Sequence, residues 1–430
     1  MIFLHKKVLS NGLTIIYKHS ENNLTSFSIA FEAGANVENE NEIGLAHVVE
    51  HMLYKGTFKR NEYEINKLCD ELFGFNNAMT NYPYVVYYAT CLSEDFEIGF
   101  DLYADIILNP YFPKKGFKEE IDVICEELNE WRDDINQFCE DELFKNAFNK
   151  RRLKELIIGN EKNIKYIKLE HVIDFYNRYY TPDNCVISVV SSLNFEKVCD
   201  IIYKHFGNWN RKSNNIVETI YENNTPGVFW NKKDINGSKI QYCFPIHNLS
   251  TKEEKALMIF NAVFGTGTSS ILYDEIRTKR GLAYDIASSI KFEKGIKVFK
   301  ISMGTSKVNE MEAIELINSI IREIKNNSEY FNKYFNESSM SNIVKGIVLR
   351  NALSLEKSIV ECVRLAVFEI MFRDRSEINS NFSNLVDIEN YMSPLYERVN
   401  DLDKITYKDI ILVMNKVLVK PTIQIISSND

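Results

Sequence analysis

The chain reads as an α+β protein built from two similar halves, and three observations carry that reading. Stretches rich in β-branched and aromatic residues interleave with longer stretches of helical periodicity. Ile167 through Ser191 and Ile405 through Ser427 repeat one order of elements: an amphipathic helix with an asparagine late in it, a proline, then a β-branched strand ending in serines. Between them, Trp209 to Asn215 and Glu222 to Gly227 are polar and linker-like. With 430 residues, 45% of them hydrophobic and 26% charged, there is material for two cores. Domains are therefore expected at 1–209 and 228–430, joined by a linker at 210–227.

In chain order, 13–18 and 25–33 read as strands, and Gly34 with the polar run Asn36 to Glu42 as a loop. A helix carrying two histidines follows and runs to Gly56, expected as its C′ glycine. Ile65, Leu68, Cys69 and Leu72 share one face of a helix over 62–72, which Gly74 breaks. Asn76 to Asn81 then leads into a tyrosine-rich strand over 84–91. Helices are expected at 94–107, 113–134, 167–179 and 194–205, with a strand at 185–191. Past the midpoint, strands are expected near 239–245, 283–291, 297–303 and 422–427. Helices are expected at 251–264, 308–325, 335–350, 355–373 and 406–417, and another helix contains Arg277.

The net charge of −9 excludes the basic footprint that a nucleic-acid partner requires. Apolar runs such as Ile187 to Val190 are too short to span a bilayer, so no membrane association is expected. Met1 to Lys7 lacks a charged region ahead of an apolar core, so no signal peptide is expected. The eight cysteines include no Cys-x-x-Cys pair and read as small buried hydrophobes, consistent with a reducing, cytoplasmic setting.

The chemistry concentrates in Gly44 through Thr57. His47 and His51 stand four residues apart, so on a helix both imidazoles face one point. Glu50 lies on the flank of that face and reaches the same point. Two neutral nitrogen donors and a carboxylate free of ligation duty describe an open zinc site with a general base. Such sites usually take a third protein ligand. The acidic helix around Glu119 to Glu130 is its source, although spacing alone does not choose among Glu119, Glu120, Glu126, Glu127 and Glu130.

His47-x-x-Glu50-His51 is the inverted motif of the inverzincins, and its flanks resemble the pitrilysin family of zinc peptidases. That family includes insulin-degrading enzyme and the mitochondrial processing peptidase. The match takes in Asn11-Gly12-Leu13, Gly34, Glu38, Gly44 to Met52 and Lys55-Gly56-Thr57. Ser191-Ser192 stand where the family usually has glycine, and the glycine pair before Asn77 is reduced to Gly74. The resemblance implies a Zn2+ cofactor held by His47, His51 and Glu127, the last 76 residues beyond His51 and following Val123-Ile124. It implies Glu120 as a supporting acid, and Asn77, Ala78 and Thr80 on a substrate-binding strand. Arg277 and Tyr284, seven residues apart within Arg-Thr-Lys-Arg-Gly-Leu-Ala-Tyr, are implied to face the zinc and bind the oxyanion. The fold it implies is two homologous α/β-sandwich domains, each a mixed, mostly antiparallel sheet packed with helices. Peptides are the implied substrates. A chain of this length is expected to dimerise around a chamber. Carrying both residue sets, it is expected to form a homodimer, with a leader-peptide maturation peptidase working as a heterodimer with a paralogous subunit, or a non-catalytic scaffold, as the alternatives.

Overall fold

The structure, a computed structural model, describes residues 4–211, 218–373 and 386–429. The centre of the expected linker and the first three residues lie outside the described residues. The first half of the chain builds β1 (Leu4–Val8), β2 (Thr14–His19), β3 (Leu24–Phe31), α1 (Leu45–Leu53), α2 (Glu62–Leu72), β4 (Phe73–Thr80) and β5 (Val85–Leu92). It continues with α3 (Phe96–Leu108), α4 (Phe117–Asp133), α5 (Ile135–Ala147), α6 (Glu161–Tyr166), α7 (Leu169–Tyr179), β6 (Cys185–Ser191) and α8 (Phe195–Phe206). The second half builds β7 (Gly227–Lys233), β8 (Ser238–Pro245), α9 (Thr251–Phe264), β9 (Asp285–Lys291), β10 (Val298–Thr305) and α10 (Glu310–Asn326). It ends with α11 (Ser328–Tyr334), α12 (Met340–Ser354), α13 (Ser358–Phe372), β11 (Val386–Glu389), α14 (Tyr407–Val417) and β12 (Thr422–Ser428).

Two mixed, mostly antiparallel sheets result, and the expected fold class holds. The first runs β11-β1-β2-β6-β3-β5-β4 and is antiparallel except between β2 and β6. The second runs β7-β12-β8-β10-β9 and is antiparallel except between β7 and β12. Five strands of each sheet thus share one order and one pattern of directions. The register agrees too: Ile15 lies beside Ile187 as Val228 lies beside Ile423. The sequence repeat is a structural duplication.

The compact units are discontinuous. One comprises Met1–Leu128, Leu156–Thr219 and Ser354–Glu397, and the other Asn129–Glu155, Ile220–Leu353 and Arg398–Asp430. These differ from the continuous halves 1–209 and 228–430 through two exchanged segments. Each sheet has two faces to bury, and one face is covered by a helix from the other half of the sequence. α13 lies on β3 and β6, where Ala30, Val186 and Val190 pack against Leu365, Ala366 and Ile370. α5 lies on β8 and β12. The opposite face of the first sheet packs α1, α3, α7 and α8 through Phe27, Ile29, Phe100, Phe175 and Ile202, all fully buried.

Several local readings need correction. Gly74 is not what ends α2, which stops at Leu72; Gly74 and Asn76 to Thr80 lie within β4, which starts at once at Phe73 with a bulge between Phe73 and Phe75. Gly56 is not a C′ residue, because α1 already ends at Leu53; it makes a bridge to Asn61 instead. Among the elements absent from the periodicity-based reading are β1, β7 and α5. β1 hides because its Lys6 is buried, with Nζ 2.8 Å from Glu369 and over the Tyr391 ring. β7 is an edge strand with Val228 and Trp230 exposed, so it shows no buried alternation.

The second unit offers a stability test. Asp141 on α5 accepts hydrogen bonds from Trp131 Nε1 (2.8 Å) and Gln137 Nε2 (2.9 Å), yet burial pushes its carboxyl up to about 6. A folded-state pKa above the unfolded one means this group's contribution is greatest at acid pH and is lost as pH rises through about 6. Asp141→Asn is therefore expected to stabilise the protein at neutral pH by about 1–2 kcal/mol, an advantage that vanishes below about pH 4. Thermal unfolding of both proteins across pH checks this.

Candidate metal centre

The site is built on α1, whose N-terminus is secured in an unusual way. Its N-cap is Gly44, with no side chain to offer, so the buried Glu38 carboxylate accepts Gly44 N (3.1 Å) and Ala46 N (2.8 Å) from the preceding loop. An anion at this end also complements the helix dipole. Gly44 adopts φ +90°, and a Cβ there would meet Ile158 O at 2.5 Å, so the entry to the helix requires glycine. Leu45, Val48, Val49, Met52 and Leu53 bury one side of α1. The other side presents the two imidazoles, with ring centroids 4.6 Å apart.

Across from them, α4 buries Ile121, Ile124 and Leu128 and so turns Glu120 and Glu127 toward α1. Glu127 Oε1 lies 3.6 Å from His47 Nε2, and Glu127 Oε2 lies 3.5 Å from His51 Nε2. Donor atoms of His47, His51 and Glu127 all lie within 4.8 Å of one another, and no other such group of three occurs among the described residues. Tetrahedral ligands held 2.0–2.1 Å from one ion stand about 3.3–3.4 Å apart, so the donor set fits zinc with little adjustment. Of the five glutamates, Glu127 is the one that packing brings beside the Nε2 atoms of both histidines.

Glu120 takes a different place. It is 7% exposed, accepts His51 Nδ1 at 2.7 Å, and pairs with Lys55 Nζ at 2.5 Å. Lys55 in turn bonds Glu62 at 2.8 Å. A carboxylate on the far nitrogen fixes the ring orientation and leaves Nε2 for a metal. Lys55 enters the sequence reading only as part of the family match and without a role, although its i+4 spacing from His51 was a usable signal.

The electrostatics separate the two histidines. Burial, reinforced by repulsion from His51, lowers His47 to about 4, so it is neutral at pH 7. Its Nδ1 is buried with no hydrogen-bond partner among the described residues. Burial also acts to lower His51, but the bond to Glu120 and the nearness of Glu127 outweigh it and raise this histidine to about 9. Glu127 is held below the usual carboxylate range, first by His51.

Glu50 is half-buried, and desolvation raises its carboxyl. The Thr80 hydroxyl at the end of β4 donates to Glu50 Oε2. Thr80, read as part of the substrate-side strand, is therefore turned toward the base, while Asn77 is exposed and Ala78 half-buried on the edge strand. Arg277 and Tyr284 belong to the other compact unit. Tyr284 is exposed, its backbone N bonds Gly304 O at 3.1 Å, and its ring occupies the space a Cβ on Gly304 would need. None of the eight cysteines pairs with another; seven are buried and Cys125 is half-buried. No helix among the described residues is long and apolar enough to cross a membrane.

Two family profiles and several known proteins are similar to this chain. A family profile described as "Insulinase (Peptidase family M16)" matches residues 14–161, and one described as "Peptidase M16 inactive domain" matches residues 166–337. An uncharacterized zinc protease of Rickettsia felis is 27% identical over 77% of this chain and 79% of its own length. The uncharacterized zinc protease YmxG of Bacillus subtilis is 27% identical over 73% of this chain and 76% of its own. Human mitochondrial-processing peptidase subunit beta is 28% identical over 46% of this chain and 41% of its own. In fold, a protease from Helicobacter pylori superposes with a TM-score of 0.83 over 98% of this chain and 99% of that one, at 19% identity.

Because Glu120 orients His51, Glu120→Gln is expected to weaken zinc binding about 10–100-fold without unfolding the chain. Zinc retained after dialysis against graded chelator measures this. A variant that holds zinc like the parent would show the bond to His51 to be dispensable.

Proposed function

The chain is a member of peptidase family M16, and on that premise we propose that it is a zinc-dependent endopeptidase acting on unfolded peptides. One observation carries the proposal: His47, His51 and Glu127 converge on one point while Glu50, beside them, remains free of that set and is held by Thr80. A zinc ion held there supplies Lewis acidity that activates water and polarises the scissile carbonyl. The protein's own part is proton transfer and positioning. Glu50 accepts the proton of the attacking water at a carboxylate oxygen and delivers it to the departing amine nitrogen. Thr80 keeps that carboxylate directed at the reacting atoms. β4, paired on one side only, has a free edge that binds substrate backbone by strand addition, with Asn77 and Ala78 along it.

Arg277 and Tyr284 donate to the oxyanion as the carbonyl becomes tetrahedral. In this reading they serve the zinc site of a second copy of the chain, and the dimer encloses the chamber. The presence of both residue sets in one sequence supports a homodimer over a division of labour between paralogues. It also argues against a non-catalytic scaffold, which has no need of Glu50.

Glu50→Gln is expected to retain zinc and to lose hydrolysis about 10²–10⁴-fold, measured by metal content and peptide digestion, with the parent inactivated by chelator. A variant that cleaves like the parent removes Glu50 from the mechanism. For the dimer, mixing and reassembling the strongly impaired Glu50→Gln and Arg277→Ala proteins should restore roughly a quarter of parental activity, since half of randomly formed dimers regain one complete site. No recovery on mixing would contradict sharing between chains. An isolated chain that is inactive until a paralogous protein is added would favour dedicated processing by a heterodimer.

A further inference from the structure

Arg277 rides on a segment of unusual register. Residues Tyr273–Thr278 wind as a π-helix, with Lys279 N bonded to Asp274 O at 2.9 Å in the i+5 pattern. Such turns are rare and persist where something holds them, often at functional sites. Here the holding group is Glu275, 6% exposed. Its carboxylate accepts Lys279 Nζ at 2.6 Å and Arg280 Nη1 at 2.8 Å, and Arg280 also reaches the Glu275 carbonyl at 2.6 Å. The Tyr334 hydroxyl, from α11, donates to the same carboxylate. Lys279 is shared with Asp274 at 2.7 Å.

The geometry explains why both cations reach one carboxylate. In an α-helix each residue turns by about 100°, so an i+4 partner lies about 40° from Glu275 but an i+5 partner about 140° away. The wider π turn, roughly 4.4 residues, brings i+4 and i+5 both within about 50° of it. The clamp on Lys279 and Arg280 and the π register therefore require each other. Arg277, two residues beyond Glu275, lies about 160° from it on the opposite side, as it would in an α-helix; the π turn changes its direction relative to the helical residues before Tyr273. There it is exposed, with its guanidinium carbon 5.0 Å from the Tyr273 ring centroid, and it has no carboxylate partner among the described residues.

We propose that Glu275 is a positioning residue for the peptidase reaction: its carboxylate locks the π register that presents Arg277, and holds Lys279 and Arg280 away from the side Arg277 faces. The proposal rests on the reading of Arg277 as an oxyanion donor. Nothing in the metal centre depends on Glu275, so metal content and catalysis respond to it separately.

The test is a double-mutant cycle on the purified full chain, with kcat and KM for a peptide measured for the parent, Glu275→Gln, Arg277→Ala and the double variant. Zinc content and unfolding temperature are recorded alongside. Glu275→Gln is expected to keep its zinc, to lose about tenfold in kcat with KM within about twofold, and to cost nothing further in the Arg277→Ala background. Glu275→Asp should recover part of the loss. Tyr334→Phe, a milder removal of one donor to the same carboxylate, should follow the same pattern at about threefold and decides the matter if Glu275→Gln does not fold. Equal losses in both backgrounds, or full activity in Glu275→Gln while Arg277→Ala is impaired, would overturn the positioning role and leave Arg277 standing. An Arg277→Ala protein that hydrolyses like the parent would instead remove the oxyanion role on which the proposal is founded.

Discussion

The placement of α1 is the constraint that the rest of the metal centre obeys. The helix is nine residues long, begins on a glycine, and has one face buried completely. A short helix with no side-chain cap would fray at the end that carries His47. The Glu38 carboxylate, itself buried, closes that end by accepting two of the orphan backbone N–H groups. With the helix fixed, both imidazoles point to one place, and α4 has only to bring a carboxylate there. Its own apolar face does so by packing Ile124 and Leu128 beneath the site.

Two different environments then meet at α1. On the α4 side a chain of polar contacts runs from Glu62 to Lys55 to Glu120 to His51, so the buried Glu120 lies between Lys55 and His51. On the β4 side, Glu50 sits near the buried tyrosines Tyr54, Tyr87 and Tyr180, whose hydroxyls feel its charge, and Thr80 is its hydrogen-bonding neighbour. The first environment holds rings in place. The second keeps a carboxylate poorly solvated, which suits the proton exchange proposed for Glu50.

The duplicated scaffold carries these tasks unequally. Between β3 and β4 the first unit inserts α1 and α2; between β8 and β9 the second inserts α9 and the π-helical segment. α9 has no histidine, and the distinctive feature of its unit is a clamped turn presenting an arginine. One order of strands therefore supports two unrelated local devices, because the sheet fixes where the inserted helices sit and leaves their surfaces free.

By itself the sequence determined the parts whose signals are local. The spacing of His47, Glu50 and His51, the amphipathic helices, the strand of Cys185 to Ser191 and the repeated order of elements all follow from contacts among residues a few positions apart. It also contained the family pattern that singles out Glu127, although the residues of α4 alone present five glutamates on equal terms. Tertiary structure decided what depends on distant neighbours. It brought Glu127 rather than Glu126 to the histidines, set Glu120 and Lys55 behind His51, and turned Thr80 onto Glu50. It exchanged α5 and α13 between the two compact units, and it held Tyr273–Thr278 in a π register that no periodicity announces. Periodicity reports which face of an element is buried, whereas these outcomes depend on which other element buries it.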